Sequence, residues 1–261
     1  MPRVLVVGGT GLAGRAVTAA AIDRGHDVVV ASRRVPDDDS AEFVPGADYR
    51  SADLVSGDGL EEVLDGVDVL VDTSNGAGRA ASHVFATGSQ NLLHTAARFG
   101  VRQAVLLSIV NVDRSAYRYY RAKAAQERNY QDSALETRIV RTTQFHEFVS
   151  SIFQRGGLGI IPAPAKTSFQ PIAVTDVASI LMDAVEGRGA ANATRTVGGP
   201  RVETSRELAK QWKSATGARG SIVSTRLGGA LGATWRAGDN LVPRDAIDGV
   251  GYSDWLSSSV V

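Results

Sequence analysis

Short β-branched runs alternate along this chain with longer stretches at helical spacing. Apolar runs occur at 4–7 (VLVV), 28–31 (VVVA), 69–72 (VLVD), 104–108 (AVLLS) and 137–140 (TRIV). Runs without polar alternation predict strands buried on both faces of a parallel sheet, with crossover helices between them. The intervening spacing predicts helices at about 12–24, 78–99, 115–132 and 175–187. Gly25 follows the first, and Asp113 and Ser115 precede the third as competent N-caps. The fold class implied is α/β, a doubly wound parallel sheet. After Arg141 the pattern loosens. Gly156, Gly157, Gly159, Pro162 and Pro164 crowd into a loop-rich stretch before helical spacing resumes near Thr175. Beyond it come a strand-like ATRTV at 193–197, a helical stretch at about 203–216, a short strand at 221–225 and a closing helix at YSDWLSS.

Composition narrows the partners more than the fold. With 43% hydrophobic and 21% charged residues, a disordered tail is excluded. Lys plus Arg (28) cancel Asp plus Glu (28), so there is no electrostatic footprint for nucleic acid or an anionic membrane, and the expected partner is a small molecule. The sequence leaves the oligomeric state open. The absence of Cys removes disulfides, thiolate metal sites and a Cys nucleophile, and no other metal-ligand cluster is expected. The apolar run after Met1 stops at Gly8, too short for a signal h-region or a membrane span of about 20 residues, so the expected address is cytoplasmic.

Directly after the first strand comes GGTGLAG, in which Gly9, Gly11 and Gly14 satisfy G-x-G-x-x-G, and Gly8, Gly11 and Gly14 satisfy G-x-x-G-x-x-G. Close glycines let backbone approach a pyrophosphate, whose charge is met by N–H groups and the positive end of the next helix. Lying between strand and helix, the motif assigns Gly8, Thr10, Gly11, Leu12 and Gly14 to a dinucleotide and makes the sheet a Rossmann core. Where an NAD site carries an acid at the end of its second strand, this chain reads Ala31-Ser32-Arg33-Arg34. Two guanidiniums pair with a 2′-phosphate, so NADP(H) is the preferred cofactor, with NAD(H) the alternative and Ser32, Arg33 and Arg34 its contacts. The competing view is a solvated pair neutralised by Asp37, Asp38 and Asp39. By position, Asp53 and Leu54 suit the adenine, and Thr73, Ser74 and Asn75 suit the nicotinamide ribose. The core then comprises residues 1–144 with 171–198. Residues 145–170 with 199–261 make a small C-terminal substrate lobe, the two forming a single structural unit.

Within SAYRYYRAKAAQE, Tyr119 and Lys123 stand four apart, on one helix face. A free phenol has a pKa of about 10, and a nearby ammonium favours its anion, which brings it toward acid/base work at neutral pH. Lys123 also suits the ribose hydroxyls. Ser108, at the end of the strand expected at 104–108, suits a substrate oxygen. The bland alternative is a solvated helix with Lys123 facing water.

With GGTGLAG, SRR, SADL, LLSIV, YYRAKAAQE, IVRTTQFHEF and QPIAVTDVA taken together, the sequence resembles an atypical member of the short-chain dehydrogenase/reductase superfamily, in the NmrA-like, NAD(P)-binding group. The resemblance implies that Tyr119 is the acid/base, that Lys123 binds ribose and assists it, and that Ser108 orients the substrate. Extended members commonly show a paired Ser-Ser or Ser-Thr further upstream, so Asn111 shares or replaces the part of Ser108. NmrA-like redox sensors usually lack the Tyr, which this chain keeps. Gln144, Phe145, His146 and Phe148 follow the strand expected at 137–140 and suit a mainly apolar substrate pocket. A lone His is more often structural than a ligand. Gln170 suits the cofactor end of the pocket, and Asp176 suits a helix N-terminus. The function expected is hydride transfer between NADP(H) and a carbonyl- or quinone-type molecule. The alternatives are a non-catalytic NADP(H) sensor, or an epimerase or dehydratase using bound NAD(P).

Overall fold

Strand formation follows the β-branched runs. A computed structural model describes residues 1–76, 78, 80–156 and 159–259; Gly157, counted above in the loop-rich stretch, lies outside the described residues. In chain order the first half comprises β1 (Arg3–Val7), α1 (Leu12–Asp23), β2 (Asp27–Ser32), β3 (Asp48–Ser51), α2 (Leu60–Leu64), β4 (Val69–Asp72), α3 (Ala80–His83), a π-turn (Val84–Gly88), α4 (Ser89–Arg98) and β5 (Gln103–Ile109). A 3-10 turn (Val112–Arg114), α5 (Arg118–Gln131), β6 (Glu136–Thr142), α6 (His146–Gln154), β7 (Ile160–Pro164), β8 (Ser168–Phe169) and α7 (Val174–Val185) follow. The chain then runs through β9 (Ala193–Val197), β10 (Glu203–Thr204), α8 (Ser205–Thr216), β11 (Ser221–Thr225), α9 (Gly229–Ala237), a second 3-10 turn (Pro243–Asp245) and α10 (Tyr252–Ser259).

Seven strands form one sheet in the order β3-β2-β1-β4-β5-β6-β9, with parallel pairing from β3 through β5. The order reverses between β1 and β4. In open α/β sheets that crevice, at the carboxyl ends of the strands, is where ligands bind.

Two compact units divide the chain. The first comprises residues 1–108, 121–140 and 177–195. Its core joins Leu5 and Val7 of β1 to Val29, Leu70 and Leu106 of the neighbouring strands, and to Leu60, Leu92 and Tyr130 of covering helices. The second comprises residues 109–120, 141–176 and 196–261. It carries its own core of Val149, Phe153, Phe169, Leu208, Trp212, Trp235 and Leu256, with two small sheets, β8–β10 antiparallel and β7–β11 parallel. Two of the three tryptophans are thus packing residues, and Trp255 lies partly buried against the same core.

The helix expected over 78–99 is broken by the π-turn. Ser89 Oγ donates to the Phe85 carbonyl at 2.6 Å, and a Cβ on Gly88 would lie 2.9 Å from Leu54 Cβ, so close packing of the 54–55 loop accompanies the irregular turn. The helix expected from 115 begins at Arg118 instead, because Ser115 Oγ accepts from the Tyr117 amide and holds the entry outside the helix. His146–Gln154, part of the loop-rich lobe in sequence terms, is helical. Its buried positions 146, 149, 150 and 153 follow the helical period, but Phe145 at the N-cap offers no capping side chain.

Candidate dinucleotide site

The glycine turn is built by backbone. Gly8 (φ +75°) donates to the Ala31 carbonyl, Gly11 N donates back to Gly8 O at 3.0 Å, and α1 opens with Arg15 N bonded to Gly11 O. Three glycines have steric reasons inside the chain. A Cβ on Gly9 would lie 2.4 Å from Val30 Cγ1. One on Gly14 would lie 2.2 Å from Gly8 O, and one on Gly8 would meet Ser74 Cα and Thr73 O at 3.0 Å. Gly11 is different: it is exposed, and its added Cβ would meet only Gly8 O, at 3.3 Å. No side chain caps α1 and no acidic residue sits in its first turn, so no side chain takes up the amides of that turn beside the bare Gly11. That donor set fits a pyrophosphate, with half-buried Thr10 and exposed Leu12 flanking it.

The loop after β4 packs against this turn. Thr73 Oγ1 donates to the Val7 carbonyl at 2.7 Å, the Ser74 amide donates to Asp72 Oδ1 at 2.8 Å, and Asn75 Oδ1 accepts from Gly76 N at 2.7 Å. After β2, the Ser32 hydroxyl donates to the Arg34 carbonyl and Ser51 Oγ donates to the Arg33 carbonyl at 3.4 Å, fixing the backbone of the arginine pair. Both guanidiniums are exposed, and neither forms an ion pair with Asp37, Asp38 or Asp39 among the described residues. Asp53 Oδ1 accepts from the amides of Val55 (2.7 Å) and Ser56 (3.2 Å), closing its own loop, and the Leu54 carbonyl accepts from Asn91 Nδ2 at 2.9 Å.

On α5, Lys123 is 5% exposed, so it does not face water. Its ammonium lies 4.7 Å from the centre of the Phe85 ring, which the π-turn presents. Burial pulls Lys123 down to about 8, against the opposing attraction of Asp72 and Glu127. Ser108 is buried near the carboxyl end of β5.

The second unit holds the remaining predicted residues. Tyr119, one turn before Lys123 on α5, is half-buried among Tyr117 and Tyr120, with ring centres 6.3 Å from each. Burial, then those two phenols, push it up to about 12, the reverse of the lowering expected from the sequence. Asn111 adopts a left-handed conformation (φ 49°), and its Nδ2 donates to the Asp239 carbonyl at 3.0 Å. Gln144 Oε1 accepts from Asn240 Nδ2 at 3.3 Å. Phe145 bridges to Ile172, and Phe148 is 38% exposed, edge-on to Trp235. His146 is fully buried, its Nε2 3.0 Å from the Val250 carbonyl and its ring beside Tyr252 and Trp255; burial lowers its pKa. Gln170 spends its amide inside the unit, on the Gly199 carbonyl and the Val242 amide, and Asp176 Oδ2 accepts from Val250 N in the first turn of α7.

Residues 8–187 match the family model described as NAD(P)H-binding. The chain belongs to the NAD(P)H-binding family. Within reach of the family is divinyl chlorophyllide a 8-vinyl-reductase of Arabidopsis thaliana, 28% identical over 221 residues, 76% of this chain and 53% of that protein. The chain thus spans about half the length of that relative. Photosystem II assembly factor Ycf39 of Synechocystis is 32% identical over 113 residues, 41% of this chain and 34% of that protein. Among solved structures, UDP-glucose 4-epimerase of Thermotoga maritima with UDP-glucose superimposes with a TM-score of 0.76 at 17% identity, covering 99% of this chain and 97% of that one, a likeness of fold. Among the described residues no helix is long and apolar enough to cross a membrane.

A cavity of about 630 Å³ opens elsewhere in the first unit, at the amino ends of β1, β4, β5 and β6. Its charged lining is largely self-paired, Arg102 with Asp68 at 2.9 Å and Arg138 with Glu136, and it lies at the wrong strand ends for a dinucleotide. For this NAD(P)H-binding chain the residues that sequence missed are Asp72, Phe85, Gln126, Glu127 and Tyr130, which surround Lys123 or support it. The signal was the spacing 123, 126, 127 and 130, one helix face, whose polarity reads as a solvent face.

Burying Lys123 has a measurable consequence. With a folded pKa of about 8 against 10.5 unfolded, the folded chain holds fewer protons between those values, so stability rises with pH across that window and the penalty is complete below it. Urea titrations of wild type and Lys123→Met should show wild type gaining on the variant by on the order of 3 kcal/mol from pH 8 to 10.5. An unchanging difference contradicts the burial of a charged lysine.

Proposed function

We propose that the protein is an NADP(H)-dependent oxidoreductase of the NmrA-like short-chain dehydrogenase/reductase type, acting on a carbonyl- or quinone-type small molecule. The observation that carries the reading is the buried Lys123 one helical turn after Tyr119 on α5, in a chain whose glycine turn leaves its helix amides uncapped. When bound, the dinucleotide supplies or accepts the hydride. The chain's own groups do the rest. Amides of the first turn of α1 bind the pyrophosphate, Arg33 and Arg34 take the 2′-phosphate, Lys123 holds the ribose hydroxyls, Ser108 orients the substrate oxygen, and Tyr119 gives it a proton. A phenol held at about 12 is neutral at physiological pH, which suits donation and therefore the reductive direction. Asn111, Gln144, Phe145 and Phe148 meet the substrate in this reading, while the fully buried His146 stays with Val250, Tyr252 and Trp255.

The arginine assignment is tested by replacing Arg33 and Arg34 together with Ala. Two charge-assisted contacts to phosphate are lost, so NADPH affinity should fall by about a hundredfold while NADH affinity changes little, read by fluorescence titration. Equal losses for the two coenzymes defeat the phosphate assignment. A second reading, a non-catalytic NADP(H)-binding factor, draws on the likeness to a photosystem II assembly factor. Sustained NADPH consumption with a quinone or conjugated ketone separates it from the first.

A further inference from the structure

The polar stripe on α5 converges on one buried carboxylate. Asp72, the last residue of β4, is 0% exposed. Its Oδ2 accepts from the Tyr130 hydroxyl and from Gln126 Nε2, both at 2.8 Å, and its Oδ1 accepts from the Ser74 amide at 2.8 Å. Gln126 also reaches Ser74 Oγ, at 3.4 Å. A buried carboxyl group needs partners that an apolar residue at the end of β4 would not, so three donors arranged around Asp72 mark a group that the fold retains for use.

The same helix face says which use. Lys123 precedes Gln126 and Tyr130 by three and seven residues on α5, on the face that bonds to Asp72, and the Asp72 and Glu127 carboxylates attract its ammonium while the Phe85 ring faces it from the π-turn. Through Ser74 the same Asp72 fixes the loop Thr73–Asn75, which packs on the glycine turn. We propose that Asp72 is the positioning residue of the dinucleotide site, holding the Lys123 ammonium charged and in register with the loop after β4. The proposal rests on the reading of Lys123 as a ribose ligand.

Asp72→Asn tests it with little change of shape. Gln126 Oε1 is buried without a hydrogen bond, so turning the amide over lets it accept from the new Nδ2, while the Tyr130 hydroxyl rotates to accept. NADPH affinity is measured by fluorescence titration from pH 6 to 10. In wild type it should weaken above about pH 8, where Lys123 loses its proton. In Asp72→Asn that alkaline midpoint should move down by a pH unit or more, the effect of removing a charge at close range. A midpoint that stays in place overturns the proposal. Lys123→Met separates the two layers: it should bind at least tenfold more weakly at pH 7 with no alkaline midpoint, and wild-type affinity at every pH overturns the ribose reading itself. If the Asn variant does not fold, the Cε resonance of Lys123 in wild type decides: a titration midpoint near pH 8 is expected, and one below pH 7, an ammonium not held charged, overturns the proposal.

Discussion

Tyr119→Phe is expected to slow NADPH-dependent reduction of a quinone or conjugated ketone by roughly 10²–10⁴, the usual worth of a positioned general acid, while NADPH affinity stays within about twofold of wild type. The phenol is the group that the other residues do not duplicate. Tyr117 and Tyr120 stand beside it, but neither has a lysine four residues on. Because burial and its two phenol neighbours push Tyr119 up to about 12, its proton is present throughout the ordinary pH range. Any decline in the reductive rate between pH 8 and 10 therefore belongs to Lys123. Single-turnover measurements across that range check both points; turnover unchanged by the Phe substitution rejects the role of Tyr119.

The second large effect lies in the glycine turn, where two substitutions of the same size should act differently. A Cβ on Gly14 would lie 2.2 Å from Gly8 O and 2.5 Å from Gly9 Cα, both backbone atoms with no side chain to yield. Gly14→Ala should cost about 1–3 kcal/mol of stability, as overpacking does, and reduce NADPH affinity by a hundredfold or more by opening the turn. Gly11→Ala has only Gly8 O to meet, at 3.3 Å, and its backbone (φ −76°, ψ 170°) admits any residue. Its melting temperature should stay near wild type, yet affinity should still fall about tenfold or more, because the methyl group occupies the approach of the pyrophosphate. Parallel losses of stability and binding in both variants would mean that Gly11 serves the fold and not a ligand.

The inner strands were legible because they are buried on both faces, as in VLVV at β1 and VLVD at β4, whereas the edge strand β3, exposed or half-buried along its length, carries no apolar run. The glycine turn was legible for the same kind of reason, since backbone geometry restricts residue type locally. The short helix α2 and the uncapped helices α6 and α9 were not legible. They begin after Gly59, Phe145 and Gly228, none of which caps with a side chain, and α2 has five residues. The surroundings of Lys123 were hidden by polarity. Lys123, Gln126, Glu127 and Tyr130 share a helix face that would ordinarily meet water, and only the tertiary placement of Asp72 and Phe85 turns that face inward. The direction of the Tyr119 shift was missed for a related reason, because sequence spacing shows a neighbouring charge but not the burial that outweighs it.

On the proposed reading, this NAD(P)H-binding chain takes the phosphorylated coenzyme across the crevice between β1 and β4. Calorimetric titration of the wild-type protein with NADPH and with NADH, at one ionic strength, tests it most directly. One site per chain is expected for NADPH, with at least tenfold tighter binding than for NADH. Equal affinities would remove the role given to Arg33 and Arg34, and failure to bind either coenzyme would remove the oxidoreductase reading altogether.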